Sequence, residues 1–196
     1  DAGADNTVLG FLAGAALASG GDDNTIIGDY SGNAITTGDK NVTIGSGAGK
    51  TMTTSSENIL IGRNAGGAIA AGQTTTDGTV AVGSTALAAL TSGAGNVGIG
   101  FQAGENLTTG ERNVVLGHQA LNNATTETDD NVAIGYRAMN GAISTEAVND
   151  CIAIGSLALD GALEEEVSGT VAVGASALGA LTSGGHNTAI GYNSML

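Results

Sequence analysis

The chain has no proline and no tryptophan, one cysteine, and only five Phe or Tyr residues in 196. So few aromatics exclude a conventional aromatic core, and small residues must fill the interior. The single cysteine, Cys151, excludes an intrachain disulfide framework and leaves the redox compartment open. Five Lys or Arg stand against 19 Asp or Glu, for a formal charge of −14. Nucleic acid is therefore disfavoured as a partner, as is electrostatic docking on an anionic membrane. No apolar run approaches the roughly 18 residues needed to span a bilayer, so this segment is not expected to insert in a membrane. No basic-then-apolar signal opens the chain, and it begins at Asp1 rather than Met, which reads as the edge of a processed or excised fragment.

What the sequence does have is glycine, 34 residues of it, and a repeat. The stretch Asn131-Val132-Ala133-Ile134-Gly135-Tyr136-Arg137-Ala138 returns from end to end. Aligned on its glycine, the copies fall at Gly10, Gly28, Gly45, Gly62, Gly83, Gly100, Gly117, Gly135, Gly155, Gly174 and Gly191. Most spacings are 17 or 18 residues, and the longest are 21, 20 and 19. So short a period leaves no room for a helix pair and predicts an all-β solenoid of about eleven coils, one repeat per coil, filling residues 1–196 as a single domain. The chain stops five residues after Gly191, in mid-coil, so the rod is expected to continue or to abut a neighbouring protein.

Three residues before each glycine, and again one before it, stand β-branched or other apolar residues such as Val80 and Val82, or Val132 and Ile134. Alternation puts these two columns on one face of a strand, expected here to line the interior. The residue between them is often Ala or Gly, which predicts a small-residue outer face suited to a partner chain. The glycine is the corner, where only a residue without Cβ fits. Three past it stands only Ala or Ser. Seven past it comes a further apolar column (Leu17, Ile35, Met52, Ile69, Leu90, Leu107, Leu181), with Ile143 and Leu163 displaced by one, read as a second short strand per coil.

Four before the glycine stands asparagine in eight copies: Asn6, Asn24, Asn41, Asn58, Asn96, Asn113, Asn131 and Asn187. The exceptions, Thr79, Cys151 and Thr170, follow the three longest spacings. An amide that caps a tight turn and stacks on its counterpart one coil away accounts for both the rule and the exceptions.

The motif N-x-[small]-[I/L/V]-G-x-x-[A/S] resembles the YadA-type (Hep/Hag) head repeat of trimeric autotransporter adhesins. The version in Asn24-Thr25-Ile26-Ile27-Gly28, with turns such as Leu107-Thr108-Thr109-Gly110-Glu111-Arg112-Asn113, also resembles repeat regions of bacteriophage tail fibres. The resemblance covers essentially the whole chain. It implies a left-handed parallel β-roll assembled as a homotrimer, extracellular, on a virion appendage or a bacterial outer-membrane surface, with fibre or tail proteins at the open ends and a possible host-surface receptor. The repeats here are longer and less even than the usual adhesin head, which favours the viral fibre.

The two residues after the corner glycine collect all five Phe and Tyr (Phe11, Tyr30, Phe101, Tyr136, Tyr192) together with His118, Arg63 and Arg137. This stripe stacks along the rod edge, packs across a subunit boundary, or contacts a receptor. The acidic runs Asp22-Asp23, Asp129-Asp130 and Glu164-Glu165-Glu166 lie in turns, lack the calcium nonapeptide pattern, and read as solvated loop charge. His118 and His186 have no acidic or nucleophilic partner at a defined spacing. Cys151, in an Asn position, reads as a buried small side chain rather than a reactive thiol. No catalytic residue, metal site or cofactor is expected. A glycan-depolymerising enzyme would need opposed carboxylates on long insertions, and an ice-binding surface a flat threonine array; neither pattern is present. The three long connections carry Thr75, Glu146 and Glu165, and extra residues there can add a receptor contact without disturbing the coils.

Overall fold

A computed structural model describes residues 3–70, 76–124, 128–141, 148–163 and 167–195. Each copy of the motif supplies one three-residue strand: β1 (Thr7–Leu9), β2 (Thr25–Ile27), β3 (Val42–Ile44), β4 (Ile59–Ile61), β5 (Val80–Val82), β6 (Val97–Ile99), β7 (Val114–Leu116), β8 (Val132–Ile134), β9 (Ile152–Ile154), β10 (Val171–Val173) and β11 (Thr188–Ile190). They form one parallel sheet in sequence order. Every motif position pairs with itself one coil on, as in Val132↔Ile152, Ala133↔Ala153 and Ile134↔Ile154. With a strand spacing of about 4.8 Å, ten steps make a solenoid on the order of 50 Å long.

The corner ends each strand. Gly10, Gly83 and Gly135 have φ of 139°, 140° and 131°. A Cβ built on Gly83 would lie 2.2 Å from the carbonyl oxygen of Gly100, the next corner. The column thus demands glycine twice, for its dihedral and for the approach of the coil above.

The alternation holds, but the face is the reverse of the one expected. From β2 onward the middle residue of each strand is buried: Ile26, Leu60, Ala81, Val115, Ala133, Ala153 and Ala172 are fully so. The flanking columns point out, with Ile59 and Leu116 40% exposed and Ile152 and Ile154 36%. Alternation separates two faces without saying which is inside. What decides is that the opposite leg already fills the interior. Its residue three past the glycine is buried Ala or Ser in Ser31, Ala48, Ala65, Ala86, Ala103, Ala120, Ala138, Ala158 and Ala177, and its residue seven past is buried in Ile35, Met52, Ile69, Leu90 and Leu107. Leu163 occupies the displaced position and is 2% exposed; Ile143 lies outside the described residues.

That opposite leg is not a second strand. Its residues two and four past the glycine adopt left-handed dihedrals, as in Tyr30 (φ 53°), Arg137 (50°), Leu87 (48°) and Met139 (54°). Such a backbone cannot extend. It instead alternates turn bonds with bonds to the next coil: Leu17 N donates to the Gly14 carbonyl at 3.0 Å, and Gly14 N to the Ser31 carbonyl at 3.0 Å.

The inward bulk comes from different legs along the rod. In the first four coils the strand carries it (Val8, Ile26, Thr43, Leu60, with Val8 in the end coil 42% exposed), and the left-handed position four past the glycine is Gly14, Gly32, Gly49 and Gly66. In the last four the strand is reduced to Ala133, Ala153, Ala172 and Ala189, and the same position carries Met139, Leu159 and Leu178, all buried, and Met195, which is 60% exposed in the end coil. A Cβ on Gly66 would lie 2.8 Å from Leu60 Cδ2, so the two sites share one space. A left-handed Leu costs about 1–2 kcal/mol, which burial of its side chain, about 1.5–3 kcal/mol, offsets.

Candidate functional site

The asparagine row forms an internal ladder. Asn24 Nδ2 donates to Asn6 Oδ1 at 3.0 Å, Asn41 Nδ2 to Asn24 Oδ1 at 3.1 Å, and Asn58 Nδ2 to Asn41 Oδ1 at 3.1 Å. The run resumes with Asn113 on Asn96 at 3.0 Å and Asn131 on Asn113 at 3.1 Å. Each of these acceptor oxygens also takes the backbone N–H of the next row member, as Asn24 Oδ1 does from Asn41 N at 2.9 Å. The remaining amide hydrogen mostly reaches the turn of the following coil, as in Asn24 Nδ2 to the Gly38 carbonyl at 2.9 Å. At the breaks, Asn58 Oδ1 takes Thr79 N and Asn131 Oδ1 takes Cys151 N, both at 2.9 Å. Cys151 is buried, its Sγ 3.4 Å from the Val167 carbonyl, and burial pushes its thiol pKa up. These groups saturate one another and leave nothing for chemistry.

A second ladder, two residues before the first, was hidden in the acidic turns. Asp39 Oδ1 accepts Asp22 N at 2.8 Å, Ser56 Oγ accepts Asp39 N at 3.0 Å, and Asp77 Oδ1 accepts Ser56 N at 2.8 Å. Asp129 Oδ1 likewise accepts Glu111 N at 2.8 Å. Asp22, whose Oδ1 accepts Ala4 N at 2.7 Å, and Asp129 are thus inter-coil staples rather than loose loop charge. Reading the column two before each Asn as a column, instead of reading runs of acids, would have found them. The neighbouring Asp130 does face solvent, clasped by Arg112 through two bonds of 2.7 and 2.8 Å that hold its carboxyl below the usual range. Glu164, Glu165 and Glu166 lie outside the described residues.

The aromatic stripe stacks along the rod. His118 lies between Phe101 and Tyr136, with ring centroids 5.0 and 5.6 Å away, and Phe11 meets Tyr30 edge-on at 5.6 Å. Tyr136 remains 49% exposed. Arg137 turns away from the stripe. Its Nη2 is 3.6 Å from Asp160 Oδ2, and with the Asn140 amide oriented to suit, the amide oxygen accepts from Arg137 Nε at 2.9 Å. Burial raises the Asp160 pKa against the opposing effect of Arg137, and Asp160 Oδ1 is buried without a partner. Arg63 is exposed and forms no ion pair among the described residues. The structure therefore brings Tyr136 and Arg137 onto successive residues of one coil edge, with Arg63 four coils away. Thr75, Glu146 and Glu165 lie outside the described residues. Of their connections, Thr76 returns to the stack through Ser55 (Oγ to Oγ1, 2.8 Å).

The outer face of the sheet is apolar and partly exposed. Two outward positions on each of eleven strands give 22 sites, and 19 are Val, Ile or Leu; only Thr7, Thr25 and Thr188 differ. A continuous apolar stripe of this kind is what soluble monomers avoid. On the opposite leg, Tyr30, Asn33, Ser46, Gly47, Lys50, Thr51 and Asn64 line an open groove of about 490 Å³. No protein-family model matches this chain, and no curated protein or solved structure is detectably similar to it.

Proposed function

We propose that this chain is a rod segment of an extracellular appendage, built as a parallel homotrimer whose chains meet through the outward Val, Ile and Leu columns. The observation that carries this reading is the apolar outer face of the sheet, continuous from β3 to β10. Left wet, it exposes residues such as Ile154 along the whole solenoid; covered by copies of itself in the same register, it becomes a second core between chains. The stacked backbone ladder supplies stiffness, the acidic surface solubility, and both suit a structural or adhesive role rather than catalysis. The number three and the left-handed coil come from the resemblance to adhesin heads and phage fibres, of which the tail fibre is preferred; an adhesin head would use the same face.

Light scattering is expected to give three chains. Replacing Val132 and Ile134 together by Glu should dissociate them, since both side chains leave the interior untouched. A wild-type monomer with the same β content would overturn the assembly. Host contact, on this reading, falls on Tyr136, Arg63 and the connections bearing Thr75, Glu146 and Glu165, with three copies giving avidity. Trimming the three connections to the common length should leave a folded trimer that no longer attaches. Undiminished attachment would make this segment a spacer.

A further inference from the structure

The row two residues past the corner glycine carries a side chain at every coil but one. It reads Leu12, Tyr30, Gly47, Asn64, Thr85, Gln102, Gln119, Arg137, Leu157, Ser176 and Asn193. The ten side-chain-bearing members share left-handed dihedrals of φ 50–57°, and Gly47 has 69°. Glycine is therefore not needed there for the backbone, since Gln, Asn, Thr and Leu all manage the same turn. Its effect is to leave a notch between Tyr30 and Asn64, which is the floor of the 490 Å³ groove.

Of the side chains around that notch, Asn33 and Thr51 are committed, Asn33 Nδ2 donating to the Leu12 carbonyl and Thr51 Oγ1 to those of Gly67 and Ile69, while the others are not. Asn64 Oδ1 stands 2.5 Å from where a Gly47 Cβ would be, so the amide oxygen is aimed into the vacancy, and the Lys50 stem is 3.7 Å from the same point. Among the described residues, the Asn64 amide, the Lys50 ammonium and the Tyr30 and Ser46 hydroxyls make no hydrogen bond or ion pair, whereas Arg112 and Arg137 are both paired with acids. The Tyr30 ring meets Phe11 edge-on on the side of the first coil and remains 43% exposed, and it lines the groove together with Gly47.

We infer that this notch is a binding site for a pyranose carrying a carboxylate, of the uronic acid kind. A ring face of C–H groups suits the open side of Tyr30, hydroxyls suit the Asn64 amide and Ser46, and the carboxylate suits Lys50. A flat aromatic ligand would leave the amide and the hydroxyl unanswered, and a bare anion would leave the ring unused. The site is local to three coils.

The test is backbone-amide NMR of the whole chain titrated with glucuronate, glucose and acetate. Glucuronate should shift Tyr30, Gly47, Lys50 and Asn64, glucose should shift the same amides more weakly, and acetate should not. Gly47→Gln fills the notch with a side chain that the row already holds at Gln102 and Gln119, so circular dichroism should not change while glucuronate affinity falls about tenfold or more. Lys50→Met should retain glucose binding and lose the preference for glucuronate. The inference is overturned if glucuronate moves none of these amides, if it binds Gly47→Gln undiminished, or if acetate reproduces its shifts.

Discussion

The first four coils and the last four solve one packing problem in opposite ways. Near the start the strand is large inside and the facing left-handed residue is glycine, as in Leu60 with Gly66; near the end the strand is alanine and the facing residue is Leu or Met, as in Ala153 with Leu159. Interiors are close-packed, so what is conserved from coil to coil is the filled volume and not the leg that fills it. The amide ladder divides the same two regions. It is unbroken from Asn6 to Asn58, but from Cys151 onward only Asn187 remains in the row.

The comparison is most sharply tested by moving one coil from the first solution to the second. Leu60→Ala alone should cost about 2–5 kcal/mol as a cavity. Gly66→Leu alone should cost at least about 2–5 kcal/mol, from overpacking against Leu60 and from the left-handed dihedral. The double variant imitates coil 9, and denaturant unfolding should show it recovering at least about 2 kcal/mol relative to the sum. Strict additivity would mean that the two sites do not share a space.

A smaller effect is expected from the ladder. Asn41→Ala removes an amide bonded on both sides and leaves Asn24 Oδ1 and the turn carbonyl of Ser55 short of partners, for a loss of about 1–3 kcal/mol. Thr79→Asn should change stability by less than about 0.5 kcal/mol, because Thr79 Oγ1 already donates to the Thr76 carbonyl at 2.9 Å. Equal effects at the two positions would separate the asparagine pattern from the turns it caps.

The smallest effect lies in the C-terminal region, at Asp160. Its folded pKa is raised, chiefly by burial, so folding favours the protonated form and this group's contribution falls as pH rises from the ordinary carboxylate range through the folded value. Asp160→Asn should therefore stabilise the fold slightly at neutral pH, by less than about 1 kcal/mol once the Arg137 contact is lost, and the gain should vanish on acidification. A difference that grows toward low pH would contradict the sign.

Much of this was legible from residue columns. The period placed all eleven strands, because corner glycines and in-register pairing repeat with the sequence. The Ala column and the column through Ile35 and Met52 fell inside because nothing larger than Ala or Ser stands in the first and only apolar residues stand in the second. The phase of the strand was not legible, since Val132-Ala133-Ile134 alternates equally well with either face inward. Nor were the turns of the opposite leg, because Leu87 and Met139 are poor residues for left-handed dihedrals and are held there by the interior they fill. The groove at Gly47 escaped notice for a related reason: one glycine among 34 stands out only when its ten counterparts are seen to share its backbone.

The sequence by itself determined the period, the parallel stacking, the glycine corners and the positions of the amide row, because each is a local requirement repeated in every coil. Only the tertiary structure decided which face of the strand is core. That choice depends on how much space the opposite leg leaves, and the volume between two legs is a property of neither leg alone.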